Sequence, residues 1–331
     1  MTDALTKRTL GRTGIRVSPI GIGTGSLGAH PTVTDPAAAD ELAVATLRTA
    51  FRAGLNYIDT APGYRGGDSD RRVGMALSEV SRDQVVLATK VGTHPARPGD
   101  VTGETAAWII EQSLEVIGTD RIDIALVHDP STMGPVLERG GAVEALERLK
   151  EVGKVRAIGL GVQNHEYLRI GIESGRFDVI QSPYDYNLLR TTAGNLIDLA
   201  SERELGFINA APFLAGLLSG VDPEEIVAIR AATGMWKLRD RDVRRARRIW
   251  EWARDRDADL RALAMQFCLR EQRIATTLIG PRRPSDVVED IAAATQPVAD
   301  DDWEELVGAL STFPAPAPGG EAAVGPYPPN D

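Results

Sequence analysis

At 331 residues, with 43% hydrophobic and 25% charged side chains, the chain has an ordinary globular composition and enough length to bury a substantial core. Its 47 acidic residues outnumber 37 basic ones, and the net charge of −10 argues against nucleic acid or an anionic membrane as partner. No stretch approaches the roughly 20 apolar residues of a membrane helix. The single cysteine, Cys268, excludes an internal disulfide and reads as core filler in a reducing compartment. With no apolar signal region at the N-terminus, a cytoplasmic protein acting on a small molecule is expected.

Short apolar runs alternate with amphipathic ones along the chain. Residues 7–18 read as a hairpin turning at Gly11–Gly14. Strands are predicted at 19–23, 56–59, 85–90, 122–127, 155–160, 178–182, 206–211 and 275–279. The helices that follow them are predicted at 37–53, 69–80, 104–117, 141–151, 165–175, 191–204, 259–271 and 285–294. The strands are mostly continuously apolar, as when both faces of a parallel sheet are buried. Eight strand–helix units suit a (β/α)8 TIM barrel, whose usual size of about 250 residues leaves room for additions. The additions are an insertion at 212–257 carrying one or two helices, a final helix at 299–310, and a flexible or extended Pro/Gly-rich tail at 314–331. One domain is expected over 1–313. The basic run from Arg239 to Arg248 reads as a solvated helix face. Gly23-Thr24-Gly25-Ser26-Leu27-Gly28 has the glycine spacing of a dinucleotide-binding turn, but Pro31 and Pro36 fall where its helix would run, so a Rossmann fold is not predicted.

Lys90 stands out because the chain has 5 Lys and 32 Arg, yet keeps a lysine at the end of a buried strand. A point-charge ammonium whose pKa responds to burial is something arginine cannot supply. Asp59 ends the second barrel strand, Lys90 the third and His128 the fourth, while Tyr64 lies in the turn after the second. Barrel enzymes draw catalytic groups from strand C-termini and the loops beyond them. An ammonium favours tyrosinate, a carboxylate keeps the ammonium charged and placed, and a neutral imidazole donates to a carbonyl oxygen. Together these groups form a metal-free proton-transfer site. The remaining histidines show no metal-ligand spacing, so no metal is expected.

Gly54-Leu55-Asn56-Tyr57-Ile58-Asp59-Thr60-Ala61-Pro62-Gly63-Tyr64, followed by Lys90 and His128, resembles the aldo-keto reductases over nearly the whole chain. The resemblance implies an NADP(H) or NAD(H) site at the strand C-termini. In it Tyr64 is the general acid/base, Lys90 and Asp59 tune it, and His128 orients the carbonyl. It also implies cofactor contacts from Gly23, Thr24 and Asp59 near the nicotinamide ribose, and from Gln163, Asn164 and Gln181 at the carboxamide. Gln163 stands where the family usually has Ser. Ala211, Phe213, Leu214 and Gly216 match the pyrophosphate loop. The preceding Ala210 replaces a stacking aromatic, and the Ala-Ala-Pro form resembles the D-threo-aldose (L-fucose), L-galactose and pyridoxal dehydrogenase subgroup.

Arg282 falls where relatives hold a 2′-phosphate, and its charge and fork suit one. Asp286, Glu289 and Asp290 follow it, and Asp286 and Asp290 would oppose that charge. The balance leans slightly to NADP(H), with NAD(H) as the alternative. Substrate contacts are expected from Leu27, His30, Tyr64, His128 and Trp236, and the substrate is a sugar or pyridoxal-like carbonyl or hydroxyl compound. The competing reading is a non-catalytic, cofactor-binding regulatory member of the same family.

Overall fold

The computed structural model describes residues 5–30, 32–232 and 238–320. Eight parallel strands close into a barrel. In chain order they are β3 (Ile20–Gly23), β4 (Tyr57–Asp59), β5 (Val86–Val91), β6 (Ile122–His128), β7 (Val155–Gly161), β8 (Val179–Pro183), β9 (Gly206–Ala210) and β10 (Ile274–Ile279). Ring closure comes from β10, which pairs with β9 on one side and β3 on the other. Before them, β1 (Arg8–Thr9) and β2 (Arg16–Val17) form the short antiparallel hairpin.

The helices are α1 (Pro36–Arg52), α2 (Asp68–Leu77), α3 (Gly103–Ile117), α4 (Gly134–Leu137), α5 (Ala142–Glu151), α6 (His165–Ser174), α7 (Gly194–Glu202), α8 (Pro223–Ala232), α9 (Asp240–Arg254), α10 (Leu260–Arg270), α11 (Pro284–Thr295) and α12 (Asp300–Leu310). Their ends are chemically marked. Asp35 caps α1, accepting from the Ala38 N–H at 2.8 Å, with Pro36 at the first helical position. Gly118 and Gly175 end α3 and α6 in the left-handed region that glycine tolerates.

Outward-facing strand residues such as Ile58, Leu87, Val127, Ile158 and Ile180 join Leu47, Val73, Ile110, Leu146 and Leu168 of the helices in one core. A separate core inside the barrel holds Tyr57, Ala88, Ile124, Leu126, Val179 and Ile208. Leu10, Ile15 and Val17 of the hairpin belong to this inner core, so the hairpin closes the N-terminal end of the barrel. Arg8 fastens it there by donating to the carbonyls of Leu269 (2.6 Å), Glu271 (3.2 Å) and Ile274 (2.7 Å). Asp59, Lys90 and His128 stand at or near the opposite, C-terminal ends of their strands.

The insertion contributes two helices, α8 and α9, and differs from the solvated face expected of its basic run. Arg241, Arg244 and Arg248 are exposed, but Asp242, Arg245, Ala246 and Ile249 are buried. Asp242 forms a fully buried ion pair with Arg190, which also reaches Asp185 at 3.3 Å. Arg245 donates to the Pro314 carbonyl at 2.7 Å and so holds the start of the C-terminal segment. That segment is docked as far as Gly320, whose N–H donates to Asp185 at 3.2 Å. Asp185 also meets His165 Nε2 at 2.8 Å. Of the two forms expected for the tail, flexible or extended, residues 314–320 take a docked one without regular secondary structure.

Candidate active site

The top inward layer of the barrel is unusually uneven. Register places Gly23 beside Asp59, and His128 beside Gly161, which is beside Gln181. Ala210 ends β9. Gly23, Gly161 and Ala210 on three of the strands leave a hollow, while Asp59, Lys90 and His128 project from three others. One layer down, Leu126 fills the space beneath Gly159, where an added Cβ would stand 2.5 Å from its Cδ2.

Lys90 is fully buried, and its ammonium donates to Asp59 Oδ1 and, at 3.0 Å, to the Thr60 carbonyl. The ammonium also lies 4.6 Å from the centre of the Tyr64 ring. His128 meets the same ring edge-on, with centroids 6.5 Å apart and planes at 85°. The four predicted groups thus converge. Burial lowers the His128 pKa below its usual value, followed by smaller opposed effects of Asp129 and Lys90, so the imidazole is neutral at physiological pH. Asp129 approaches Nδ1 at 3.5 Å without hydrogen-bond alignment.

The turn carrying Tyr64 is set by close approach. Gly63 packs so tightly on the segment after β5 that a Cβ would lie 2.3 Å from the Thr93 carbonyl. Arg65 and Gly66 then take left-handed conformations at φ 56° and 68°. Behind the turn, Asp70 is buried and accepts from Thr60 Oγ1 at 2.7 Å and Ser113 Oγ at 3.0 Å. Thr60 and Asp70 thus hold the carbonyl that Lys90 uses. Sequence reasoning assigned neither a place at the site, although Thr60 directly follows Asp59.

The other predicted positions divide. Thr24 and Gln181 are buried at the rim, and Thr24 Oγ1 and Gln181 Oε1 lack partners among the described residues. Asp59 Oδ2 and His128 Nδ1 share that condition. Buried polar atoms without partners call for a ligand or water. Gln163 is half-buried, whereas Asn164 is exposed and spends its side-chain oxygen capping α6. Ala211, Leu214 and Gly216 shape a loop of left-handed residues, with Phe213 among them. His30 makes a local contact with Thr32 Oγ1 at 2.9 Å. Trp236 lies outside the described residues.

Two groups sit elsewhere than expected. Leu27 is completely buried in the outer core, and its carbonyl accepts from Arg72 at 2.9 Å, so it faces α1 and α2 rather than a substrate. Asp290 is buried and bound to Arg261 at 2.7 Å, and Glu289 binds the same guanidinium at 2.6 Å. Both carboxylates are committed to joining α10 and α11. Asp286 accepts from the Arg282 N–H at 2.9 Å and from Arg283 Nε at 3.0 Å. The Arg282 side chain is exposed and makes no ion pair among the described residues.

The model of the aldo/keto reductase family matches residues 19–310. The chain belongs to this family. Three relatives cover most of it. L-galactose dehydrogenase of Arabidopsis thaliana is 32% identical over 298 residues, 87% of this chain and 88% of that protein. NADH-specific methylglyoxal reductase of Escherichia coli K12 is 29% identical over 316 residues, 89% and 95% of the two. D-threo-aldose 1-dehydrogenase of a Pseudomonas species is 30% identical over 297 residues, 82% and 89%. The predicted sugar dehydrogenase subgroup is represented among them, and this aldo-keto reductase is an oxidoreductase of a family that uses nicotinamide dinucleotides. Its rim fits such a cofactor on two counts. Orphaned buried oxygens of Thr24 and Gln181 adjoin Gly23 and Gly161, and the exposed Arg282 guanidinium, without an ion pair among the described residues, stands on the loop after β10. Among the described residues no His/Cys/Asp/Glu cluster could hold a metal, and no helix is long and apolar enough to cross a membrane.

Proposed function

We propose that the chain interconverts a carbonyl and a hydroxyl on a small polar substrate, a sugar or pyridoxal-like aldehyde, with Tyr64 as general acid/base. The observation that carries this reading is the buried Lys90–Asp59 pair with its ammonium 4.6 Å from the Tyr64 ring and His128 edge-on to that ring. A dinucleotide held there would supply or take up the hydride. Gln181, Gln163 and the remaining amide of Asn164 would hold its carboxamide, Thr24 its ribose, and the 211–216 loop its diphosphate.

Tyr64 passes its hydroxyl proton to the substrate oxygen during reduction and takes it back during oxidation. The phenolate left behind would be costly in a buried site, and the Lys90 ammonium offsets that cost. Asp59 neutralises the ammonium without touching the substrate. Neutral His128 donates a hydrogen bond to the same oxygen and keeps its own proton.

We favour NADP(H) over NAD(H). Asp290 and Glu289 are spent on Arg261, and Asp286 on Arg282 and Arg283, which leaves the Arg282 guanidinium to a 2′-phosphate. The substrate class rests on the names of the sugar-oxidising relatives.

The test is Tyr64→Phe assayed with aldoses, pyridoxal and simple aldehydes. Turnover should fall by about 10²–10⁴-fold while dinucleotide affinity stays within about twofold. Full activity in the variant, or dinucleotide binding by wild type with no turnover on any substrate, would defeat the proposal.

A further inference from the structure

The Lys90 ammonium has three N–H donors, and two are committed, one to Asp59 Oδ1 and one to the Thr60 carbonyl at 3.0 Å. With two acceptors fixed, tetrahedral nitrogen sets the direction of the third N–H, and the ammonium lies 4.6 Å from the centre of the Tyr64 ring. The place of the Thr60 carbonyl therefore helps decide where the charge points. Thr60 is buried, and its N–H donates to the Ala88 carbonyl of β5 at 2.9 Å. Its Oγ1 donates to Asp70 Oδ1 at 2.7 Å.

Asp70 is buried in the first turn of α2, a helix that begins where the Tyr64 turn ends, with Gly67 leading in at φ 103°. The other oxygen of its carboxylate accepts from Ser113 Oγ on α3 at 3.0 Å. One carboxylate thus joins the helix that follows Tyr64, the residue that offers Lys90 its second acceptor, and a neighbouring helix. The phenol hangs from one end of this link and the ammonium rests on the other. The pull of an ammonium on a phenolate falls with distance, and a misplacement of about 1 Å between reacting groups costs up to ~10²-fold in rate.

We propose that Asp70 is a positioning residue of this reaction: through the Thr60 hydroxyl it holds the carbonyl that aims the Lys90 ammonium at Tyr64. This rests on the Tyr64 reading above and extends it to a carboxylate one residue removed from the ammonium.

The test is kcat, KM and the pH profile of kcat/KM for aldehyde reduction, together with melting temperature, in wild type, Asp70→Asn, Asp70→Leu, Thr60→Ser and Thr60→Val. Asp70→Asn and Asp70→Leu remove the same charge, but only Asp70→Asn leaves an acceptor for the Thr60 hydroxyl. Asp70→Asn should keep kcat within about threefold of wild type, and Asp70→Leu should lose about tenfold, with KM and dinucleotide affinity within about twofold in both. The alkaline limb of the profile reports the Tyr64 hydroxyl, and a looser ammonium should move that limb up by about 0.5–1 pH unit in Asp70→Leu relative to Asp70→Asn. Thr60→Val, which alters no charge, should reproduce the kcat loss of Asp70→Leu, and Thr60→Ser should match wild type. That pair carries the test if Asp70→Leu does not fold. If Asp70→Leu and Thr60→Val melt earlier but keep the kcat and alkaline limb of wild type, Asp70 only braces the fold and the assignment is wrong. Equal kcat losses in Asp70→Asn and Asp70→Leu would also overturn it, since charge rather than position would then matter. Wild type without turnover, or a fully active Tyr64→Phe, would instead remove the parent reading.

Discussion

The ammonium of Lys90 and the carboxylate of Asp59 form an ion pair in which both side chains are sealed from water, at 0% and 3% exposure. They sit on adjacent strands whose register aligns Asp59 with Ala88, two residues before Lys90. Removing one member of a buried pair strands the other. Lys90→Met should cost about 3–5 kcal/mol in urea unfolding, and Lys90→Met with Asp59→Asn should regain part of that loss. Neither protein should turn over substrate. An active double variant would show that the pair has no part in catalysis.

The imidazole of His128 gives a pH prediction whose sign follows from its lowered pKa. Burial makes the folded protein bind the proton less tightly than the unfolded chain, where histidine titrates near ~6.5. The stability it contributes is therefore present above that value and is lost as pH falls below it. Melting temperature should drop on acidification below about pH 6.5, and His128→Asn should shrink that drop. Reduction should show no loss of kcat/KM on crossing pH 6.5, because the folded imidazole stays neutral. A kinetic pKa at the ordinary histidine value would contradict this.

Asp290 behaves in the opposite way. Burial raises its carboxyl to about 6, and the Arg261 contact offsets only part of that rise. A carboxyl that holds its proton more tightly when folded contributes stability below its unfolded pKa, near ~4, and loses it as pH rises toward 6. Asp290→Asn should therefore be more stable than wild type above pH 6, by about 1–3 kcal/mol, with the difference closing toward pH 4. Calorimetry at several pH values checks this. A variant less stable at pH 7 would mean that the Arg261 pair outweighs desolvation.

Two glycines on β7 separate packing from function. A Cβ at Gly159 would lie 2.5 Å from Leu126 Cδ2 and 3.2 Å from the Val179 carbonyl, whereas one at Gly161 would meet His128 Cδ2 and Gln181 Cβ at a comfortable 3.7 Å. Gly159→Ala should destabilise by about 1–3 kcal/mol. Gly161→Ala should fold within about 1 kcal/mol of wild type but raise KM about tenfold, because its methyl occupies the hollow beside His128. Chemical denaturation paired with steady-state kinetics separates the two. Equal stability losses would place Gly161 in the packing rather than the pocket.

The sequence exposed the barrel because strands buried on both faces are continuously apolar, and it exposed the four reactive groups because three of them end such strands. Ala211 stops β9 one residue short of the predicted end by turning left-handed. What stayed hidden depends on contacts between distant segments. Nothing local to Asp242 signals Arg190, 52 residues away in sequence, so the inward face of α9 could not be separated from its solvated face. Leu27 follows the first barrel strand like a pocket residue, but Arg72 draws its carbonyl inward. Asp290 resembled a cofactor ligand until Arg261, on the preceding helix, claimed it.

The hairpin of residues 8–17 stoppers one end of the barrel with Leu10, Ile15 and Val17. The barrel is thus a cup rather than a pipe. Whatever reaches Lys90 must come and go over a single lip, and two visitors that share one doorway have to queue.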